Sequence, residues 1–277
     1  MSKISFSGIE FFKLQGSGND FVIILKDGLN LSYDDMSRWA KKICERCFGV
    51  GADGLIFVER DDEFAYRWHF YNSDGSRAEM CGNGSRCVAW LCYHLNIAEK
   101  RHVFRTDAGP IKAEVFPDER SVKVQLTPPK GFKPNFDLKL SDRTLNVSFV
   151  EIGVPHVVVF VDDLEKVDVN RLGREIRFHS FFSPKGTNVN FVKITDKGLF
   201  VRTYERGVEK ETYACGTGAS ASVFVANKLG LCGDREVRVV TSGGEELFIS
   251  LHGEEVFLKG KVSFVFEGKL NLEGVGL

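Results

Sequence analysis

A short cysteine motif occurs twice in the chain and constrains the folds that are open to it. Cys81-Gly82-Asn83-Gly84 is followed by an apolar run from Cys87 to Leu95, and Cys215-Gly216-Thr217-Gly218 is followed by a similar run from Ala221 to Leu229. Each apolar run is typical of a helix. The same turn at the same place in both halves indicates a duplicated unit. We therefore expect two similar halves, each with a cysteine at the N-terminus of a helix.

The position of each cysteine indicates a reactive thiol. A thiolate at a helix N-terminus is stabilised by the positive end of the helix dipole and by unpaired backbone N–H groups. We therefore expect the pKa of Cys81 and of Cys215 to lie below the ordinary value of about 8.5. The glycines allow a ligand to approach the backbone closely. The N–H groups predicted to hold an anion such as a carboxylate are those of Gly82, Asn83, Gly216 and Thr217.

The alternative interpretation is structural. A free cysteine usually behaves as a small buried apolar residue, and a glycine turn often does no more than lead into a helix. For either copy alone, this interpretation is favoured. A second internal match, between residues 16–24 and residues 186–194, strengthens the case for duplication and favours a functional pair of thiols.

Charge and composition exclude several classes of protein. The chain has 37 basic and 38 acidic side chains, for a formal net charge of -1, which offers no general attraction to nucleic acid or to an anionic membrane. The sequence contains no apolar run as long as a membrane span, and its first eight residues lack the apolar core of a signal peptide. Seven cysteines, an odd number, do not form the pattern of a secreted disulfide framework. We therefore expect a cytoplasmic protein with reduced thiols and a small-molecule ligand.

One further cysteine pair tests a metal or redox interpretation. Residues 32–48 have the apolar spacing of a helix that begins at a capping Ser32, and they carry Cys44 and Cys47. A structural zinc site normally needs a second pair of ligands at a suitable spacing, and no such pair is evident. We therefore predict that both are core or near-core thiols and that the protein binds no metal.

Several polar residues near predicted turns and strand ends have two interpretations each. Asn19 and Asn72 either form their own turns or direct amides at a ligand. His156, at the start of a buried strand, is either a hydrogen-bonded structural residue or a neighbour of the reacting groups. Glu205 and Arg206 are either a solvated pair or the groups that bind an ammonium and a carboxylate.

Two thiols beside carboxylate-binding helix ends suit stereoinversion at carbon. One thiolate removes a proton from one face of the carbon, and a thiol returns a proton to the other face. A single base tends to return the proton to the face that it left, so inversion without a carrier cofactor favours two acid–base groups. The α-hydrogen of an amino acid is a very weak acid, so the site must exclude water and supply dipoles to the developing carbanion.

The chain resembles the diaminopimelate epimerase family, and the matching motifs occur in order along nearly its whole length. They are residues 16–21, 49–54, 72–76, 81–84, 155–156, 204–207 and 214–219. The resemblance implies an α+β fold of two similar domains, each a mostly antiparallel sheet or barrel around a central helix, with the active site in the cleft between them. The paired prolines after Thr127 predict a boundary between residues 1–126 and residues 127–260. The resemblance implies in addition that a last strand, within residues 261–277, returns to the first domain.

The resemblance also implies a reaction and a set of roles. Members interconvert LL- and meso-diaminopimelate without a cofactor, on the route to lysine and peptidoglycan, and a homodimer is implied. Cys81 and Cys215 match the catalytic pair, while His156 and Glu205 match residues that tune the pKa of the cysteines. The substrate-binding positions carried over are Asn19, Asn72, Gly82, Asn83, Asn188, Glu205, Arg206, Gly216 and Thr217.

Two positions depart from the pattern of some members. Val154 stands where they have an asparagine, and Gly54 stands where they have a substrate-contacting glutamine. These differences concern fine specificity rather than the chemistry. The rival interpretations are a related isomerase acting on proline, hydroxyproline or another amino acid, a thiol redox protein, and a non-enzymatic amino-acid binding protein. Glu205 and Arg206 argue against a substrate with a single amino-acid end.

Overall fold

The structure is a computed structural model that describes residues 8–233 and 235–277. The described chain divides into two compact units. Unit 1 contains the residues up to Val124 together with Lys261–Leu277, and unit 2 contains Gln125–Gly260. The domain boundaries inferred from the sequence stay a prediction. Residues 1–7, on which the expectation about a signal peptide mostly depends, lie outside the described part.

Apart from one extra strand in each unit, the first of unit 2 and the last of unit 1, the elements follow one another in the same order in both units. Those of unit 1 are β1 Ile9–Gly16, β2 Asn19–Leu25, α1 Tyr33–Ile43, β3 Gly54–Glu59, β4 Arg67–Asn72, β5 Arg77–Ala78, α2 Gly82–His94, β6 Arg101–Thr106, β7 Gly109–Phe116, β8 Ser121–Gln125 and β18 Ser263–Leu270. Those of unit 2 are β9 Lys130–Lys139, β10 Thr144–Ile152, β11 Val154–Phe160, α3 Val169–Arg177, β12 Asn188–Thr195, β13 Gly198–Glu205, β14 Lys210–Thr212, α4 Gly216–Lys228, β15 Val237–Thr241, β16 Glu246–His252 and β17 Glu255–Lys261. Short 3₁₀ turns span Pro117–Glu119, Ser180–Phe182 and Glu273–Val275.

The strand pairing repeats as well. In unit 1, β1 and β2 are antiparallel, β2 and β3 are parallel across α1, β3 and β4 are antiparallel, and β4 and β6 are parallel across α2. In unit 2 the same sequence of pairings runs through β10, β11, β12, β13 and β15, with α3 and α4 as the crossing helices. Strand β18 adds to unit 1 by pairing antiparallel with β1. Helices cross between the parallel pairs because such strands need a long connection.

The most apolar strands are buried on both faces. Phe21–Ile24 and Leu55–Val58 are continuous buried runs rather than alternating ones, which is typical of strands covered by helices on both sides. One face of the unit 1 sheet packs against the apolar side of α1, which carries Met36, Trp39 and Ile43. Helix α3 covers the corresponding strands of unit 2 in the same manner, through Leu172 and Ile176. These clusters fix the strand registers.

The second helix of each unit is buried along most of its length. Helix α2 packs against β1, β2 and β7, and α4 packs against β10, β11, β12 and β16. A Cβ on Gly84 would lie 3.1 Å from Ile56 and 3.4 Å from Trp68, so the first turn of α2 already touches the core. Two similar, mostly antiparallel units, each built around a buried helix, confirm the predicted fold class.

Helix boundaries differ from the sequence expectations at three places. Helix α1 ends at Ile43 instead of continuing to Phe48, because the following residues turn back and Gly51 N–H donates to the Ile43 carbonyl. Cys47, in this turn, has a φ of 75° that no helix allows. Helices α2 and α4 begin at Gly82 and Gly216, immediately after the cysteines, so the glycine turns are the first helical turns.

Each unit brings several strand ends and one helix N-terminus to one edge of its sheet. In unit 1, β2 begins at Asn19, β3 begins at Gly54 and β4 ends at Asn72; Gly54 is paired with both Phe21 and Asn72. In unit 2, the equivalent positions are the start of β11, the start of β12 at Asn188 and the end of β13 at Glu205. The repeated topology therefore gathers the polar residues selected from the sequence at equivalent edges.

Candidate active site

Cys81 is the residue that caps the N-terminus of α2. Its Sγ accepts a hydrogen bond from the Gly84 N–H at 3.5 Å, and its thiol donates to Asn19 Oδ1 at 3.8 Å. The side chain is only partly buried. The sequence prediction of a cysteine at a helix N-terminus is confirmed here, and the thiol is also joined to one predicted substrate-binding residue.

The amide of Asn19 is oriented by Asp53. Asn19 Nδ2 donates to Asp53 Oδ2 at 2.7 Å, which leaves Asn19 Oδ1 directed at the Cys81 thiol. Asp53 Oδ1 accepts from Arg46 at 3.2 Å, and Asp53 Oδ2 also accepts from the Asp20 N–H. Asn19 therefore bonds across the loop instead of closing its own turn. Asp53 was not among the candidate site residues selected from the sequence, where it belongs only to the matching motif at residues 49–54.

A buried ion pair supports the Asp53 loop. Lys13 lies 2.7 Å from Asp20 Oδ2 and also donates to the Gly51 carbonyl. Burial by itself raises the pKa of Asp20, but the Lys13 hydrogen bond and the charges of Lys13 and Arg46 outweigh burial and lower it overall. Asp20 Oδ1 in turn accepts from the Asp53 N–H at 3.0 Å. The charged network thus ties the start of β2 to the loop before β3.

Cys215 is the corresponding cap of α4, and its pKa contradicts the sequence expectation. Removal of water from around the thiol and, next, the charge of Glu205 raise the pKa of Cys215 to about 12. The Thr217 hydroxyl, 3.6 Å from Sγ, and the N–H groups of Gly218 and Thr217 lower it by less. The expectation of a depressed pKa was wrong for Cys215 because desolvation exceeds the effect of the helix N-terminus.

Gly218 allows a close approach that no larger residue permits. A Cβ at this position would lie 2.3 Å from Asn190 Oδ1 and 3.2 Å from Cys215 Sγ. The second glycine of the motif is therefore required by packing within α4 and β12, not only by a turn. It also shows that the amide of Asn190 lies directly behind the reactive end of the helix.

His156 lies in a buried polar cluster with Asn190 and Thr203. The three residues are at most 3% exposed. Asn190 Nδ2 lies 3.3 Å from His156 Nδ1 and donates to the Val157 carbonyl, while Thr203 donates to Asn190 Oδ1. Burial and, to a lesser extent, the charge of Arg206 lower the pKa of His156 to about 3. The imidazole is therefore neutral throughout the physiological pH range.

Asn190 and Thr203, which form the buried polar cluster with His156, were not among the residues selected from the sequence. The available signal was the internal match, which places Asn190 opposite Asp20 of the first half. Asp20 and Asn190 both belong to the polar networks behind the cysteines in the structure.

Glu205 and Arg206 do not behave as a simple solvated pair. Glu205 accepts a hydrogen bond from the Thr212 hydroxyl at 2.9 Å, and burial raises the pKa of Glu205. Arg206 donates to the Lys185 carbonyl through Nη1, and its backbone N–H donates to Asn188 Oδ1. The Asn188 amide also donates to the Pro155 carbonyl, so Asn188 fixes the strand ends around it.

The remaining predicted binding positions have simple local roles. Asn72 Nδ2 donates to the Ser76 hydroxyl, which closes the turn after β4. Asn83 Oδ1 is buried and has no hydrogen-bond partner within the described residues. Gly82 and Gly216 are the first helical residues of α2 and α4, where backbone N–H groups have no partner inside the helix. Thr217 directs its N–H and hydroxyl at Cys215.

The structure accounts for one of the two sequence departures. A Cβ on Gly54 would lie 2.5 Å from the Phe70 ring and 2.9 Å from the Tyr71 carbonyl oxygen. Phe70 therefore occupies the space that a longer side chain at position 54 would need. Val154 begins β11 and pairs with Ile152.

The other cysteines do not form a second site. Cys44 is buried, and burial raises its pKa to about 12. Cys47 is exposed, so the prediction of a near-core thiol was wrong for this residue; it lies in the turn after α1, beyond the face that packs on the sheet. In residues 8–233 and 235–277, no three His, Cys, Asp or Glu side chains are placed to hold a metal ion. Over the same residues, no helix is both long and apolar enough to cross a membrane.

The Gly218→Ala substitution tests the close approach at α4. We expect it to lower the free energy of unfolding by about 1–3 kcal/mol, because the added methyl group must displace the bonded Asn190 amide. Helix propensity alone would favour alanine by about 1 kcal/mol, so a decrease in the free energy of unfolding identifies the steric effect. Urea denaturation measures it, with Gly233→Ala as the control because a Cβ there meets nothing within 4 Å. A Gly218→Ala protein as stable as the control would contradict this geometry.

The raised pKa of Cys215 predicts the pH dependence of its alkylation. In the ligand-free protein, the rate should still rise about tenfold per pH unit at pH 9, since only the thiolate reacts. Glu205→Gln removes a charge that raises the pKa, so Cys215 should react faster at any fixed pH below 9. Peptide mass mapping follows the reaction, with exposed Cys47 as internal reference. A rate that levels off below pH 9 would contradict the raised pKa.

The family model and the curated relatives identify the same family. The family model for diaminopimelate epimerase matches residues 11–131 and 148–265. Among curated relatives, the diaminopimelate epimerase of Aquifex aeolicus (strain VF5) is 49% identical over 283 residues, with 96% of this chain and 99% of the relative covered. That of Hydrogenobaculum sp. (strain Y04AAS1) is 47% identical over 273 residues, covering 94% and 98%.

Solved structures of lower sequence identity share the fold. A phenazine biosynthesis protein of the PhzF family from Bacillus anthracis has a TM-score of 0.71 at 17% identity, covering 95% of this chain and 99% of that one. A hydroxyproline epimerase from Agrobacterium vitis, solved with trans-4-hydroxy-L-proline, has a TM-score of 0.69 at 14% identity, covering 97% and 95%. With the family match over most of its length and relatives at nearly half identity, the chain belongs to the diaminopimelate epimerase family.

Proposed function

We propose that the protein interconverts LL-diaminopimelate and meso-diaminopimelate without a cofactor, in the biosynthesis of lysine and of peptidoglycan precursors. The observation that carries the proposal is the equivalent placement of two thiols. Cys81 and Cys215 cap the N-termini of α2 and α4, which occupy the same position in two units of the same topology. Curated relatives that match 94–96% of this chain carry the name of this activity.

The reaction transfers two protons at one α-carbon. One cysteine, as thiolate, takes the α-proton from one face, and the other, as thiol, donates its proton to the opposite face. The reverse reaction exchanges the roles. Cys215, with its pKa raised to about 12, is protonated in the ligand-free protein and suits the donor role at the start of a turnover. This mechanism requires both thiols to reach the same α-carbon.

The helix N-termini stabilise the charge that develops during the reaction. Removal of the α-proton moves negative charge towards the neighbouring carboxylate. We assign binding of this carboxylate to the backbone N–H groups at Gly82, Asn83, Gly216 and Thr217, where the positive ends of two helix dipoles act. Preoriented N–H donors of this kind need no reorganisation during the reaction.

The rest of the substrate is assigned to the polar residues at the sheet edges. Asn19 holds its carbonyl oxygen towards Cys81 and binds near the reacting centre. Asn72, Asn188, Glu205 and Arg206 bind the distant L-centre, whose ammonium and carboxylate suit an acid and a guanidinium. Asn188 supports this role by holding the Arg206 backbone at 2.8 Å. His156 and Glu205 act on the pKa of the cysteines, and the charge of Glu205 raises that of Cys215.

We assign the protein to the cytoplasm, as a homodimer that binds neither nucleic acid nor membrane. The formal net charge of -1 offers no general attraction to polyanions. Strand β18 offers a surface for binding a second copy of the chain. Three of its residues are apolar and 44–52% exposed: Phe264, Val265 and Phe266. Because consecutive residues of a strand point to opposite faces, both faces of β18 present apolar surface.

Incubation with LL-diaminopimelate, with no cofactor added and strong reductant present, tests the activity. NMR should show meso-diaminopimelate accumulating until both isomers are present, whereas L-proline and trans-4-hydroxy-L-proline should remain unchanged. Turnover under reductant excludes a thiol redox role. A folded, reduced protein that inverts proline but not diaminopimelate would contradict the proposal in favour of a related racemase.

Replacement of either cysteine tests the two-base assignment. Cys81→Ala and Cys215→Ala should each lower kcat by at least about 10³-fold, because each variant lacks one of the two proton carriers. Cys47→Ala is the matched control, since Cys47 is exposed in the turn after α1, and it should retain full activity. Near-normal inversion by either active-site variant would contradict the assignment.

A further inference from the structure

We propose that Asn190 is a positioning residue that fixes His156 as the neutral tautomer with its proton on Nε2. The consequence is that His156 acts as a hydrogen-bond donor and not as a proton acceptor in the site. The relevance of this state to turnover rests on the proposed epimerase function, but the tautomer itself does not.

The orientation of the Asn190 amide follows from two neighbours. Its Nδ2 lies 2.9 Å from the Val157 carbonyl oxygen, which can only accept a hydrogen bond. Its Oδ1 lies 2.9 Å from the Thr203 hydroxyl, which donates to it. A flipped amide would place two acceptor oxygens against each other at Val157. The amide nitrogen therefore faces β11, where His156 and Val157 lie.

The amide orientation determines the histidine tautomer. Asn190 Nδ2 has two N–H bonds, of which one is directed to Val157 and the other to His156 Nδ1 at 3.3 Å. A ring nitrogen that accepts a hydrogen bond carries no proton, so in a neutral imidazole the proton must lie on the other nitrogen. Because the pKa of His156 is lowered to about 3, the ring is neutral and only the choice of tautomer remains.

This arrangement leaves the N–H of the second ring nitrogen, Nε2, available as a hydrogen-bond donor. His156 Nε2 is buried and has no hydrogen-bond partner within the described residues. A buried N–H without an acceptor costs roughly 1–3 kcal/mol, so such a donor is retained where it serves a function. The cluster lies close to Cys215, since Asn190 Oδ1 and Cys215 Sγ both lie beside the α-carbon of Gly218.

Nuclear magnetic resonance of ¹⁵N-histidine-labelled, ligand-free protein tests the inference directly. The cross-peak pattern between ring nitrogens and carbon-bound protons distinguishes the two neutral tautomers. In the wild-type protein, His156 should show protonated Nε2 and unprotonated Nδ1 at pH 7. A His156→Gln spectrum assigns the signal. A wild-type ring protonated on Nδ1 would overturn the inference.

Two substitutions identify Asn190 as the cause. Asn190→Asp, of the same size, replaces the amide donor by a carboxyl group, and we expect a proton to appear on Nδ1. Asn190→Leu removes the donor without adding charge, and we expect both tautomers to be populated. Thr203→Ser keeps the hydroxyl that orients the amide and should leave the wild-type pattern unchanged. If both Asn190 variants retained only the Nε2 proton, Asn190 would not fix the tautomer.

The kinetic outcome separates this inference from the proposed function. If His156 must be a donor, Asn190→Asp should lower kcat at least tenfold with less than a threefold change in KM, whereas Thr203→Ser should not. A wild-type protein with the expected tautomer but no epimerisation would contradict the proposed function alone. Full kcat in an Asn190→Asp protein whose Nδ1 is protonated would overturn the donor role.

Discussion

The candidate site of each unit depends on one constraint, a thiol held at the N-terminus of a helix that is buried on most of its sides. Because α2 and α4 pack into the cores of their units, their first turns cannot move without disturbing the sheets. The glycines of the first turn follow from this packing. Gly84 lies against Ile56 and Trp68, and Gly218 lies against Asn190. Packing therefore requires the glycines of the motif, independently of the ligand binding proposed for it.

The same burial sets the electrostatic balance of the thiols. A helix N-terminus favours a thiolate, but removal of water disfavours it, and at Cys215 the second effect is larger. A protonated Cys215 in the resting protein fits the proposed two-base reaction, which needs one thiol and one thiolate at the start of each turnover. At Cys81, the thiol meets an amide oxygen that Asp53 orients. The two halves therefore hold equivalent cysteines in different surroundings.

The sequence predicted the features that local chemistry and repetition determine. The duplication and the cysteine caps followed from motif spacing and apolar runs, and the two-domain α+β fold followed from the resemblance to the family. Features that depend on which side chains meet in three dimensions could not be predicted in this way. The raised pKa of Cys215 depends on Glu205 and on desolvation, and the exposure of Cys47 depends on α1 ending at Ile43. Asp53 and Asn190 looked like ordinary turn and strand residues until the structure placed them behind the cysteines.

In the proposed reaction two different groups handle the proton, and the isotope content of substrate and product early in the reaction distinguishes this from a single base. LL-diaminopimelate is incubated in deuterated water, and both isomers are analysed by mass spectrometry before about a tenth has reacted. With two bases, we expect one deuterium in nearly every meso molecule and almost none in the remaining LL substrate, because the donor thiol exchanges with solvent while the abstracted proton stays on the other cysteine. Meso product that retains the original α-hydrogen at the inverted carbon would contradict the two-base reaction, since a single base would then carry that proton from one face to the other.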